Sequence, residues 1–264
     1  MQGLVLNSPK MRELFIKNGV DINQPHETQE EREARIKRDE AKMQQSFRAQ
    51  KAKVFYSYSL WPNGRPLRFE FKRWNPALQA DAKLAREVGE RAWQIAKEMV
   101  NDNKSVMMVG KPGTGKTSLG LAMVDYLSKQ GKSVMVVSTS ALADLYKVQY
   151  EMADVKGKIA NILRAMKEVD VLMLDDFGTE GGLRTRIKEP GYRGVHSDMQ
   201  TGMYAVANAR YDLDNNRRTG SVIITTNNPA DELARMYDTK ILSRLIPTNP
   251  KYQLSFMGLR DVRG

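Results

Sequence analysis

"SVMMVGKPGTGKTSLG", residues 105–120, decides the fold. Five residues open it as an apolar run. A glycine-rich turn follows, then Lys116, Thr117 and the start of a helical pattern. Gly110, Gly113, Gly115, Lys116 and Thr117 fit the spacing G-x-x-x-x-G-K-[ST]. Each residue type has a physical task. Glycines let the backbone turn tightly, so that its N–H groups face phosphate oxygens. The helix that follows aims its positive dipole end at the same point. A lysine at position 116 reaches the β- and γ-phosphates, and the Thr117 hydroxyl suits Mg²⁺. Gly110, Lys111, Pro112, Gly113, Thr114, Gly115, Lys116, Thr117 and Ser118 are therefore the expected nucleotide-binding residues.

Strand, loop and helix alternate from here on. "SVMVV" (133–137), "DVLML" (170–174) and "SVIIT" (221–225) read as further buried strands, and "YQLSF" (252–256) as a weaker fifth. Helices are expected from the loop to Leu127, over 141–152 and over 157–167. Short apolar strands alternating with helices predict a parallel sheet covered on both faces.

The third strand ends in Asp175-Asp176, within "VDVLMLDDFG". Asp175 is expected to hold the Mg²⁺ shell together with Thr117, and Asp176 to orient or activate an attacking water. Paired acids at a strand end mark an ATP-hydrolysing machine. No Asn-Lys-x-Asp stretch is present, so guanine recognition is not expected. "SVIITTNN" places Asn227 beside the γ-phosphate, with Thr226 and Asn228 as close competitors. In "KILSRL", Arg244 follows a short helix and is expected on the surface, away from its own phosphates. Lent to a neighbouring subunit's nucleotide, such a cation is worth roughly 10³–10⁵ in rate.

The N-terminal part differs. "SPKMRELFIKNG" suggests a short helix capped by Ser8, with Pro9 at its first position and Gly19 at its end. "TQEEREARIKRDEAKMQQSFRAQKAK" is a charged helix that opens on a Thr28/Glu31 capping box. Its apolar residues are sparse, so it is either a solvated helix or an arm that docks on a partner protein. "VFYSYSLWPNGRPLRFEFKRW" (54–74) interleaves aromatic and basic residues around Pro-Asn-Gly, which predicts a hairpin. These side chains either pack or stack on single-stranded nucleic acid. "NPALQADAKLAREVGERAWQIAKEMV" then carries Leu84, Val88, Ala92, Ile95 and Met99 on one helical stripe.

Composition sets outer limits. The chain has 264 residues, a net charge of +11, no cysteine and two histidines. Disulfides and thiolate metal sites are excluded. No apolar run of about 18 residues is present, so no membrane span or membrane partner is expected. "MQGLVLNSPK" lacks the pattern of a signal peptide. A cytoplasmic setting is the expectation. The basic charge favours polyanions, nucleic acid first, although solubility alone would also account for it.

Taken together, the loop at 110–118, "VDVLMLDDFG", "SVIITTNN" and "LSRL" resemble the AAA+ ATPases of the DnaC/DnaI helicase-loader family, within the IstB-like ATP-binding clade. The resemblance covers about residues 75–260. It implies an α/β fold, a five-stranded sheet in the order 5-1-4-3-2, and a small, mostly helical N-terminal region. It implies ATP and Mg²⁺, contact with ssDNA, and homo-oligomers formed on ATP or DNA. Residues 1–75 would grip a hexameric replicative helicase, and 76–264 would form the ATPase domain. Lys116, Asp175, Asp176, Asn227 and Arg244 become the catalytic set, with Asn227 as sensor and Arg244 as arginine finger.

Three features depart from the family. DnaI-like loaders carry a cysteine-rich zinc module, which a chain without cysteine cannot build. Only about 20 residues follow Arg244, so no full helical lid is expected, and Arg260 and Arg263 are open candidates for a second sensor. The loop "GTEGGLRTRIKEPGYRGVHSDMQ" (178–200) is long and basic. Its Arg184, Arg186, Lys188 and Arg193 either contact ssDNA or decorate a surface loop. Three rivals remain: a transposition helper of the same clade, a P-loop small-molecule kinase, and an adaptor that needs no hydrolysis.

Overall fold

The computed structural model describes residues 28–182, 192 and 194–262, together with Glu13 and Lys17. Glu13 and Lys17 are helical, and the rest of the first expected helix lies outside the described residues. The chain divides into two compact units, Met1–Phe47 and Arg48–Gly264. Helix α1 (Gln29–Ser57) runs through the boundary. Its start is the expected capping box: the Thr28 N–H donates to Glu31 at 2.9 Å, and the Glu31 N–H donates to Thr28 Oγ1 at 3.2 Å. Ile36, Met43 and Phe47 are exposed along it.

The larger unit is built on one parallel sheet. Its strands are β1 (Ser105–Val109), β2 (Val134–Ser138), β3 (Val171–Asp175), β6 (Ser221–Thr226) and β7 (Gln253–Ser255). The order β2-β3-β6-β1-β7 is the predicted 5-1-4-3-2 read from the other edge. A two-stranded ribbon, β4 (Tyr211–Asp212) with β5 (Arg217–Arg218), precedes β6.

Helices cover both faces. On one lie α2 (Ala82–Asn101) and α3 (Lys116–Lys129). On the other lie α4 (Thr139–Val148), α5 (Ala153–Glu168), α6 (Ser197–Ala209), α7 (Ala230–Met236) and α8 (Thr239–Leu245). Successive strand residues divide between these two cores. Val171 and Met173 face α2 and α3, whereas Leu172 and Leu174 face the other layer. Both faces are dry, which is why the strands read as unbroken apolar runs. Val88, Ala92, Ile95 and Met99 of the α2 stripe are buried as expected.

Residues 54–74 do not form the predicted hairpin. Val54–Ser57 complete α1, and Phe71–Arg73 form a 3-10 turn. The Pro-Asn-Gly turn exists, with the Gly64 N–H bonded to the Trp61 carbonyl at 3.0 Å, but no strands flank it. Tertiary partners prevail over the local pattern. The Leu60 N–H donates to Val136 at 2.9 Å and its carbonyl accepts from Ser138 at 2.8 Å, which occupies the open edge of β2. The aromatic rings pack: Phe71 on Trp93, Trp93 on Tyr126, and Trp74 on Phe256.

Arg210 is a structural cation that the sequence reading passed over. It is 1% exposed and donates to the carbonyls of Met166, Val169, Asp170 and Ser221 at 2.6–3.2 Å. It thereby ties the end of α5 to the starts of β3 and β6. Burial pushes its guanidinium down to about 10.

Candidate functional site

The C-terminal ends of the central strands converge on residues 110–117. Parallel register brings Val109 beside Thr226, and Ser138 beside Asp175. The loop turns through left-handed glycines, Gly113 at φ 76° and Gly115 at φ 97°. Gly115 is the N-cap of α3, a 14-residue helix, so free N–H groups point into the turn. Trp74 backs the loop: a Cβ built on Gly115 would meet its ring at 2.7 Å. Glycine is thus required at position 115 both by backbone angle and by space.

Lys116 is 4% exposed. Its ammonium donates to the carbonyls of Gly110 (2.9 Å) and Lys111 (2.8 Å) and to Asn227 Oδ1 (2.7 Å). The three polar residues at the end of β6 have different partners. Thr226 Oγ1 bonds the Phe177 carbonyl, and the Asn228 amide donates to the Gly178 carbonyl; both face the loop after β3. Asn227 is the one whose side chain meets Lys116.

Thr117 Oγ1 donates to Asp175 Oδ1 at 2.9 Å. A hydroxyl beside a buried carboxylate is a hard-oxygen pair of the kind Mg²⁺ accepts alongside water and phosphate oxygens. The chemistry of the residues present therefore fits the ion. Thr225 Oγ1 donates to the same Asp175 oxygen at 2.7 Å and accepts from the Asp176 N–H at 2.9 Å. Burial pushes the Asp175 carboxyl upward and the neighbouring Asp176 adds to this, while the Thr225 and Thr117 bonds and Lys116 oppose it. Asp176 itself sits at φ 53°, a left-handed conformation that Asp tolerates better than most residues.

A second carboxyl stands behind this turn. Glu180 accepts from Tyr237, Thr139 and the Gly178 N–H. Thr139 also donates to the Asp176 carbonyl at 3.2 Å. The Tyr237 ring stacks on Phe177 at 4.7 Å. Glu180 is pushed upward by burial of its carboxyl group. The loop after β3 is thus fixed from both sides, by Thr225 in the sheet and by Thr139 and Glu180 below it. None of these three was singled out from sequence as a site residue. Thr225 carried a signal, a polar residue in an apolar strand one position beyond the Leu174–Ile224 pair.

Arg244 is remote from the loop. Its carbonyl accepts from Arg218, and the next carbonyl, Leu245, accepts from Ser105 at the start of β1. That end of β1 lies four residue steps, roughly 13 Å, from the loop end. The guanidinium lies 5.7 Å from the Tyr204 ring centroid and donates to the Lys240 carbonyl at 2.8 Å. Arg260 lies near the loop but turns to the Leu78 carbonyl at 3.4 Å. Arg184, Arg186, Lys188, Arg193 and Arg263 lie outside the described residues. Among the described residues, no group of three or more His, Cys, Asp or Glu could hold a metal, and no helix is long and apolar enough to cross a membrane.

A glycine cradle at a helix N-terminus, a lysine within it and an acid at the end of β3, across β6 from the loop strand, define a P-loop nucleotide-binding protein with a parallel α/β core. The chain belongs to the IstB-like ATP-binding proteins, whose family model matches residues 69–247. It is similar to the replicative helicase loader DnaC of Buchnera aphidicola subsp. Schizaphis graminum, 33% identical over 103 residues, covering 36% of this chain and 38% of that one. DnaC of Escherichia coli K12 is 28% identical over 90 residues, covering 34% and 36%. The chain thus spans under two-fifths of the length of these relatives. Among solved structures, a DnaC helicase loader aligns at 24% identity with a TM-score of 0.45, covering 64% of this chain and 89% of that one.

Proposed function

We propose that this protein is an ATPase that loads the replicative helicase onto DNA. What carries the reading is the sequence shared with proteins named replicative helicase loaders, added to an ATP-binding family match. In this reading, residues 110–118 hold the polyphosphate and Lys116 shifts from the loop carbonyls to the β- and γ-phosphates. Thr117 and Asp175 would hold Mg²⁺, which would neutralise polyphosphate charge. Asp176 accepts the proton of the attacking water, and Asn227 orients that water. Arg244 serves the nucleotide of a neighbouring copy, because its helix is anchored at the far end of the sheet. Hydrolysis is then slow in a lone subunit and rises on assembly. Residues 1–75 form the helicase-gripping region and 76–264 the ATPase domain, working in the cytoplasm. Arg184, Arg186, Lys188 and Arg193 contact ssDNA.

The family match favours a second reading, an IstB-like helper that serves a transposase. Mass photometry of the protein mixed with a hexameric replicative helicase, with and without ATP, separates the two. A complex that is lost on deleting residues 1–55 supports the loader. Absence of any such complex, with a transposase bound instead, refutes it.

A further inference from the structure

The segment after β7 crosses the phosphate loop. Phe256 is fully buried and its N–H donates to the Val109 carbonyl at 2.8 Å. Leu259 is 4% exposed and belongs to the core on the α2 face. Gln79, itself 6% exposed, clamps the next residue in both directions. Its amide donates to the Arg260 carbonyl at 3.0 Å, and its oxygen accepts from the Arg260 N–H at 2.8 Å. The Val262 N–H then donates to the carbonyl of Gly113 at 3.2 Å. Between these two anchors lies Asp261. A Cβ built on Gly113 would meet its Oδ1 at 1.9 Å and its Oδ2 at 2.3 Å, so the carboxylate lies directly against the loop glycine.

We propose that residues Phe256–Val262 are a strap that competes with nucleotide for the phosphate loop, with Asp261 as the competing anion. This rests on residues 110–118 being the polyphosphate cradle. A carboxylate and a phosphate oxygen favour the same N–H donors at a helix N-terminus. They also repel each other at this range, so a triphosphate cannot settle while a fixed negative charge lies on Gly113. The hold is moderate. Beyond Leu259 the anchors include the two Gln79 bonds, the Arg260 guanidinium to the Leu78 carbonyl at 3.4 Å and the Val262 bond, and polyphosphate binding can outweigh bonds of this kind. Nucleotide entry therefore lifts the strap and loosens its bonds to buried Gln79 and to the Leu78 carbonyl. The sequence points to nothing of this, because Gln79 and Asp261 lie 182 positions apart.

The test uses the full chain, a fluorescent ATP analogue and fixed Mg²⁺. Asp261→Asn keeps the shape and removes the charge, and it should bind the analogue about tenfold more tightly than the wild type. Gln79→Ala should shift affinity in the same direction by a smaller factor, with cooperative melting confirming that it folds. Hydrogen exchange of the Leu259–Val262 amides should speed up on adding a non-hydrolysable ATP analogue. Equal or weaker binding by Asp261→Asn, or slower exchange of the strap with nucleotide, would overturn the proposal and make the strap a wall of the site. Failure of wild type and both variants to bind the analogue would refute the cradle itself, and the strap with it.

Discussion

Thr225→Val isolates the support beneath Asp175, the acid proposed to hold Mg²⁺. The substitution keeps the branched shape, so no cavity opens in a site that is 0% exposed. It removes two hydrogen bonds, one to Asp175 at 2.7 Å and one from the Asp176 N–H at 2.9 Å. A bond to a charged acceptor contributes about 1.5–3 kcal/mol, and a donor left without a partner costs about 1–3. Asp176 is half-buried, so water recovers part of the second loss. The expected net cost is about 3 kcal/mol, or a fall of roughly 6–12 °C in Tm for a chain of this size. Urea denaturation followed by circular dichroism measures it. Asp175 should also become harder to ionise, since one of the bonds that opposes its burial is gone. More Mg²⁺ should then be needed for half-maximal ATP hydrolysis. Thr225→Ser keeps the hydroxyl and should lose far less on both counts. A loss below about 1 kcal/mol with unchanged Mg²⁺ dependence would refute the assignment of Thr225 as the brace of Asp175.

Arg244→Ala and Lys116→Ala should each be inactive alone, yet recover part of the hydrolysis when mixed, because one copy then offers the intact cradle and the other the intact arginine; no recovery at any ratio would refute the trans arrangement. Burial raises Glu180, so the folded state holds its proton more tightly than the unfolded chain. Its contribution is full below the ordinary glutamate range and is lost as pH rises through the folded value. The stability of the wild type relative to Glu180→Gln should therefore fall as pH rises from about 4; a difference that does not change with pH in urea titrations would refute this. Arg210→Met strips four carbonyls of their donor and should cost about 3–5 kcal/mol by urea denaturation; a loss under about 1 kcal/mol would show that water replaces the guanidinium.

The class of fold was legible in one strand–loop–helix segment. Glycine spacing and an apolar run are local constraints, and five buried strands separated by helices leave few ways to build a sheet. Asp175 stood out for the same reason, as the acid that ends an apolar strand. Local chemistry could not decide among Thr226, Asn227 and Asn228, because three adjacent polar residues have similar propensities. The fold gives them different partners: Asn227 meets Lys116, whereas its two neighbours bond the backbone after β3. The stretch 54–74 went the other way: its hairpin pattern was sound locally, but Leu60 bonded β2 and the aromatics packed on α2 and α3. Thr225, Glu180, Arg210 and Asp261 act through partners distant in the chain, and only folding brings such groups within hydrogen-bonding range. The sequence by itself determined the nucleotide cradle and the layered α/β core, since both follow from short-range spacing. The tertiary structure decided what braces the cradle, what lies across it and where Arg244 stands, because those depend on contacts that no local pattern encodes.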